Sequence, residues 1–247
     1  MWKVDLFRVF NSVGFWIAVS GIILMGIISG SDYLFVVHSE AGGGVWPEFL
    51  EGLFYTVTSD LFLMMIPIFA TLSFSPVFIE EYSNRSIRYL LCRTTRGKYY
   101  ISKTLSVAVS GAAPVLIGVM VLYSVFLVVL SQDNNSGRDY SFQYYVFFAE
   151  LIILILNGAI WAILGAVFSV LTKNKYIAFA APFIVYYILS VFQARYYPEY
   201  LILNPTEIMR SPLYMGRCEP GLIVSGILLI IVALLYILQL RNKVKNV

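Results

Sequence analysis

Few residues in this 247-residue chain could do chemistry. One histidine, His38, cannot build a His-rich metal site, and Cys92 and Cys218 are too few for a disulfide framework. No CxxC or HExxH occurs. Gly97-Lys98 lacks the upstream glycine and the following Ser or Thr of a phosphate-binding loop. What remains is Asp60, Glu150 and Asn157 in apolar surroundings, and a charged run from Ile79 to Lys103. Carboxylates inside a membrane are costly and often mark a pathway, whereas an amide usually bonds across helices. Which of these meanings applies depends on the elements that carry them.

Those elements are set by composition. The AVILMFWYC set makes up 60% of the chain and charged residues 13%. A soluble domain holds about 25% charged residues, and a chain of this size cannot bury so much apolar side chain in one core. Soluble enzymes and nucleic-acid modules are excluded. A bilayer core of about 30 Å needs about 20 apolar residues per helix. Six stretches qualify: about 13–30, 54–78 with Asp60 inside, 104–130, 144–171 with Glu150 near its start, 176–192 and 221–240. Continuous rather than alternating apolarity predicts helices and excludes a β-barrel. The expected fold is an all-α integral membrane protein, with 1–247 as one transmembrane domain. Lys3 and Arg8 before an apolar run, with Ser29-Gly30-Ser31 beyond it, also fit a signal peptide. The expectation is that this segment stays as the first span.

Lys and Arg orient the spans. Residues 1–12, 79–103, 172–175 and the tail hold thirteen of the 17 basic residues but three of the 14 acidic ones. Both termini are therefore expected in the cytoplasm, with Cys92 inside and Cys218 outside. Within 1–12, Trp2, Leu6, Val9 and Phe10 share a helical face opposite Lys3, Asp5, Arg8 and Asn11, which predicts an interfacial helix. Residues 31–53 and 131–142 read as outer loops. Residues 193–220, with Pro198, Pro205, Pro212 and Pro220, are apolar enough to dip into the membrane as short helices. Gly158, Ala162 and Ala166 form a small-residue strip for close helix packing. Gly111 with Pro114, and Pro182, are expected to kink spans three and five.

The segment 79–103 carries most information. Tyr82, Ile87, Leu90 and Leu91 can form an apolar strip on a helix, with Arg85, Arg88 and Arg93 around it. Glu81 can reach Arg85 at i, i+4. Thr94-Thr95-Arg96-Gly97 breaks the helix, and Lys98 and Lys103 mark re-entry. One reading is a basic helix bound to anionic lipid; the other is a docking surface for a cytoplasmic partner.

Six spans, an N-terminal interfacial helix and this segment resemble the membrane subunit of an ABC transporter, the type-2 permease family. The matching positions are Glu80 or Glu81, Leu90-Leu91, Arg96 and Lys103, although Arg85-Ser86-Ile87 and Thr94-Thr95 replace the family's Gly-Thr pair and Pro. The resemblance implies two permeases, as homodimer or heterodimer, working with two copies of a separate ATPase that binds ATP and Mg. The chain itself would then be no enzyme and hold no cofactor. It would form the path by which an apolar or amphipathic substrate (a peptide antibiotic, toxin, lipid or drug) leaves a bacterial plasma membrane. A short coupling helix between spans two and three would carry Glu80, Glu81, Arg85, Ile87, Arg88, Leu90, Leu91, Arg93, Arg96 and Lys103. Asp60, Glu150 and Asn157 would line the path.

Two other classes share features with the sequence. A channel or secondary transporter needs an ion relay, and only Asp60 and Glu150 offer one. Glu80-Glu81 to Arg85 also fits EExxxR, which resembles a motif of membrane-embedded CAAX-type proteases. That chemistry requires histidines on later spans, and none follows His38.

Overall fold

The computed structural model describes residues 2–37, 48–84, 86–130, 141–210 and 219–244. His38, Gly42-Gly43-Gly44, Arg85, the turn cluster at Asp133–Gly137 and Cys218 lie outside them. Backbone in lipid must satisfy its own hydrogen bonds, and every regular element among the described residues is helical. The α-helices are α1 (Trp2–Phe10), α2 (Val13–Val37), α3 (Glu48–Thr58), α4 (Asp60–Leu72), α5 (Val77–Ser83), α6 (Ser86–Arg93), α7 (Arg96–Leu130), α8 (Ser141–Thr172), α9 (Lys175–Tyr196), α10 (Pro205–Met209) and α11 (Glu219–Val244). A 3-10 turn, Leu201–Leu203, precedes α10. Six segments are long and apolar enough to cross a membrane: Val13–Ser31, Asp60–Ser83, Arg96–Leu130, Tyr144–Thr172, Lys175–Tyr196 and Pro220–Val244.

The second segment departs from expectation. Residues 48–53 are not loop, because Leu50, Leu53, Phe54 and Val57 recur at helical spacing and bury one face of α3. That face packs on α2 and α7. The chain then breaks at Ser59 without a proline. The Thr56 hydroxyl donates to the Gly52 carbonyl at 2.8 Å and the Thr58 hydroxyl to the Phe54 carbonyl at 2.7 Å, while Ser59 Oγ accepts from the Phe62 amide at 3.3 Å. Ser59 thus N-caps α4. Asp60 opens a helix instead of sitting inside one.

Spans two and four are the most enclosed, and α8 packs against α4, α7, α9 and α11. The expected small-residue strip is the reason α7 and α8 approach so closely. A Cβ on Gly111 would stand 2.3 Å from the Gly158 carbonyl oxygen and 2.5 Å from the Ala162 methyl carbon. Both obstacles are rigid. Gly111→Leu is therefore expected to destabilise the bundle by at least the ~1–3 kcal/mol typical of overpacking, read as a lowered unfolding temperature in detergent. α7 and α9 continue as helix through Pro114 and Pro182.

The two ends of the bundle differ. One carries α1, α5, α6 and the start of α7, with basic residues on all of these but α5. At the other, residues 197–210 fold back along α9. Gln193 Nε2 donates to the Pro198 carbonyl at 3.2 Å, Ser190 Oγ to Asn204 Oδ1 at 3.2 Å, and the Tyr186 and Thr206 hydroxyls lie 2.8 Å apart. Tyr186 is ten residues before the end of α9, so the chain descends by roughly 15 Å. Asn204 then caps α10, accepting from the Thr206 amide at 3.0 Å, with Pro205 in the first turn.

Candidate functional site

Two clusters of charge stand out, one at each end. At the basic end α7 delivers Lys103 into the protein. Its ammonium is fully buried and donates to Glu81 Oε1 at 2.6 Å and to Asp5 Oδ1 at 3.0 Å. Tyr99, one turn earlier on α7, donates its hydroxyl to Glu81 Oε2 at 3.1 Å, and Arg8 approaches Glu81 at 3.6 Å from the surface. Phe74 and Tyr99 place their rings 5.7 Å and 5.9 Å from the ammonium. Two cations face two carboxylates, so the cluster is neutral as a whole. It ties α1, α5 and α7 together where the sequence shows only a basic flank.

This geometry adds to two sequence expectations. The two faces expected of α1 are each divided, because one residue of the apolar strip and one of the polar face turn into the protein. Asp5 and Val9 are buried, while Trp2 and Phe10 stay exposed along with Val4 and Phe7. The burial of Asp5 is explained by a Lys103 that no periodicity in α1 could reveal. Lys103, in turn, is not a surface anchor at the re-entry point. Glu80 and Glu81 also part company, since neighbours on a helix point about 100° apart. Glu81 is enclosed, and Glu80 faces solvent on an open cleft of about 620 Å³ that Arg8, Ser12, Phe74 and Asn84 also line. Glu81 bonds to Lys103, Tyr99 and Arg8; its expected partner Arg85 lies outside the described residues.

The expected helix between spans two and three exists as α6, and Thr94-Thr95 breaks it from α7, which begins at Arg96. Ile87 is 1% exposed and belongs to the bundle's own core; Leu90 and Leu91 pack partly against it. Tyr89 is 77% exposed, and Cys92, Arg96 and Lys98 also face solvent. The side chains of Arg88 and Arg93 lie outside the described set. Sequence reasoning passed over Tyr89 because it ranked the strip by apolarity.

At the opposite end Asp60, the expected path residue, is 84% exposed and pairs with Arg210 at 2.8 Å. Arg210 also donates its Nε–H to the Thr58 carbonyl at 2.5 Å, so one guanidinium spans the break between α3 and α4. Beside them is a cleft of about 330 Å³ between α4, α9 and the fold-back segment. Glu207, on α10, shares its wall. Burial pushes the Glu207 carboxyl up, Arg210 opposes the shift, and Asp60 reinforces it. Glu150 is fully buried on α8, and neither of its oxygens has a hydrogen-bond partner among the described residues. Asn157 is elsewhere: its Nδ2–H donates to Ile153 O at 3.0 Å and, across helices, to Ser225 Oγ on α11 at 3.3 Å. Arg210, Glu207, Thr206 and Tyr186 were missed. Their only signal was an arginine in one of the segments between spans where basic residues are scarce.

The chain matches no model of a known family, and no curated protein matches it either.

Proposed function

We propose that this chain is the membrane subunit of an ATP-driven exporter of the type-2 permease kind, working with a separate ATPase at its basic end. Both termini then face the cytoplasm, α1 lies in the interface, and α6 is the coupling helix. The observation that carries the reading is the buried Asp5–Lys103–Glu81 cluster. A subunit pushed from the cytoplasm needs its cytoplasmic elements joined rigidly to its spans. Lys103 joins the first helix, the end of span two and the start of span three at one atom. A channel or lipid-bound protein has no such requirement, and burying three charges there is expensive unless the geometry is used.

α6 fits the coupling role in the same terms. Ile87 fastens it to the bundle, and Tyr89 and Cys92 remain on the free surface. The substrate class implied is apolar or amphipathic. Affinity purification of the chain from native membranes is the test. The expected outcome is co-purification of a P-loop ATPase in equal copy number, with hydrolysis that depends on the permease. Purification without an ATPase, joined to substrate movement in ATP-free vesicles, would overturn it.

A further inference from the structure

We infer that the junction between α3 and α4 is a two-position hinge and that Arg210 is the latch that holds it bent. Residues 48–72 are helical on both sides of one extended residue, Ser59, at φ −65° and ψ 144°. In an unbroken helix the Phe62 amide would donate to the Thr58 carbonyl, four residues earlier. Here that one bond is divided between two substitutes. The Phe62 amide donates to Ser59 Oγ at 3.3 Å, and the Thr58 carbonyl accepts from Arg210 Nε at 2.5 Å. Thr58 is buried, and a buried carbonyl without a donor is costly. While Arg210 stays in place the break is satisfied. Once it withdraws, the donor that helix geometry supplies for Thr58 is the Phe62 amide, and taking it closes the helix. Rotation of ψ at Ser59 is the main change required, because its φ is already helical.

The latch comes from a different part of the fold. Arg210 ends the segment that folds back along α9, and that segment is bonded to α9 through Tyr186, Ser190 and Gln193. The guanidinium thus ties α9 and α10 to the α3–α4 junction beside the cleft, where Asp60 stands on α4 and Glu207 on α10. Its second grip, on Asp60, is weak because that carboxylate is 84% exposed. The bond to the Thr58 carbonyl therefore decides which position the hinge takes. The part that swings is α3, eleven residues packed mainly on α2 and α7, whereas α4 is held on several sides. Withdrawal of Arg210 would untie the fold-back from the junction and straighten residues 48–72 in one event, so the two changes share a single equilibrium. Neither position leaves the Thr58 carbonyl bare. The hinge needs no ATP and no second chain, and it stands or falls separately from the exporter reading.

The test measures the bend directly. Spin labels are attached at Glu51→Cys on α3 and Ile68→Cys on α4, with Cys92 and Cys218 changed to Ser. Their separation is read by pulsed electron–electron resonance on the full-length chain in nanodiscs. A continuous helix holds these positions about 26 Å apart, and the bent junction holds them closer. With Arg210 and Ser59 both present, the shorter distance should dominate. Arg210→Ala bares the Thr58 carbonyl and Ser59→Ala bares the Phe62 amide, so each should move most of the population to the longer distance. Asp60→Asn spares the carbonyl bond and should leave most labels at the shorter one. Ser59→Ala keeps Arg210 in place, so it gives an answer even where Arg210→Ala fails to fold. Shorter distances in both alanine variants would refute the hinge. A shift with Asp60→Asn as large as with Arg210→Ala would refute the role assigned to the carbonyl bond.

Discussion

Lys103→Met is expected to be the most damaging single substitution in the chain. It removes the ammonium that both Asp5 and Glu81 share and leaves two carboxylates facing each other out of water. Breaking a buried pair from one side costs about 3–5 kcal/mol, and a second stranded acid adds to that. Arg8 cannot substitute, being 3.6 Å from Glu81 and largely solvated. The accompanying set makes the result interpretable. Arg8→Ala should cost under about 1 kcal/mol, as solvated pairs do. The triple change Asp5→Asn, Glu81→Gln, Lys103→Met should recover most of the lost stability, because no charge then remains to be compensated. Unfolding temperatures in detergent decide the matter. A Lys103→Met protein as stable as wild type would show that the cluster does not hold α1, α5 and α7 together.

On the exporter proposal, Tyr89 is expected to dominate contact with the proposed ATPase. Ile87 is already committed to the core and Leu90 and Leu91 are half-committed, so acidic substitutions there damage the fold together with any docking surface. Tyr89 projects from the same helix with 77% of its surface free. Aromatic anchors carry a large share of interface energy. Tyr89→Ala should leave the unfolding temperature unchanged and reduce ATPase co-purification at least tenfold. Ile87→Asp should lower stability first. Maleimide attached to Cys92, exposed on the same helix, should block ATPase binding in membranes opened to the cytoplasmic face. If Tyr89→Ala and modified Cys92 both couple normally while loss of Arg96 and Lys98 impairs function in proportion to anionic lipid, α6 is a lipid anchor instead.

The six apolar segments were legible because hydropathy acts over some 20 residues, and local detail averages out. What was not legible depends on single partners distant in sequence. Asp5 looked like part of a polar face, since its neighbour Lys103 is 98 residues away. The break at Ser59 was hidden inside an uninterrupted apolar run, with hydroxyls doing what proline usually does. Ile87 was recognisable as apolar, but nothing local tells a residue facing its own core from one facing a partner. The cluster at the other end was half-visible: Asp60 was conspicuous as an acid in an apolar stretch, whereas Arg210 and Glu207 come from a fold-back that only the three-dimensional path discloses.

The long helix α7 has a mechanical consequence. Its 35 residues make a rod of about 52 Å. Lys103 fixes one end to α1 and α5, and the glycine contact with α8 at Gly111 lies part-way along it. If α7 tilts about that contact, the arms are unequal, fifteen residues toward Arg96 and nineteen toward Leu130. A tilt of about 10° would swing the short arm by roughly 4 Å and the long arm by roughly 5 Å in the opposite direction. Phe126 rides on the long arm, near Gly30 of α2 and Gly52 of α3. Force applied at the basic end would in that case arrive at the far end of the bundle enlarged and reversed, by leverage alone and with no helix unwinding.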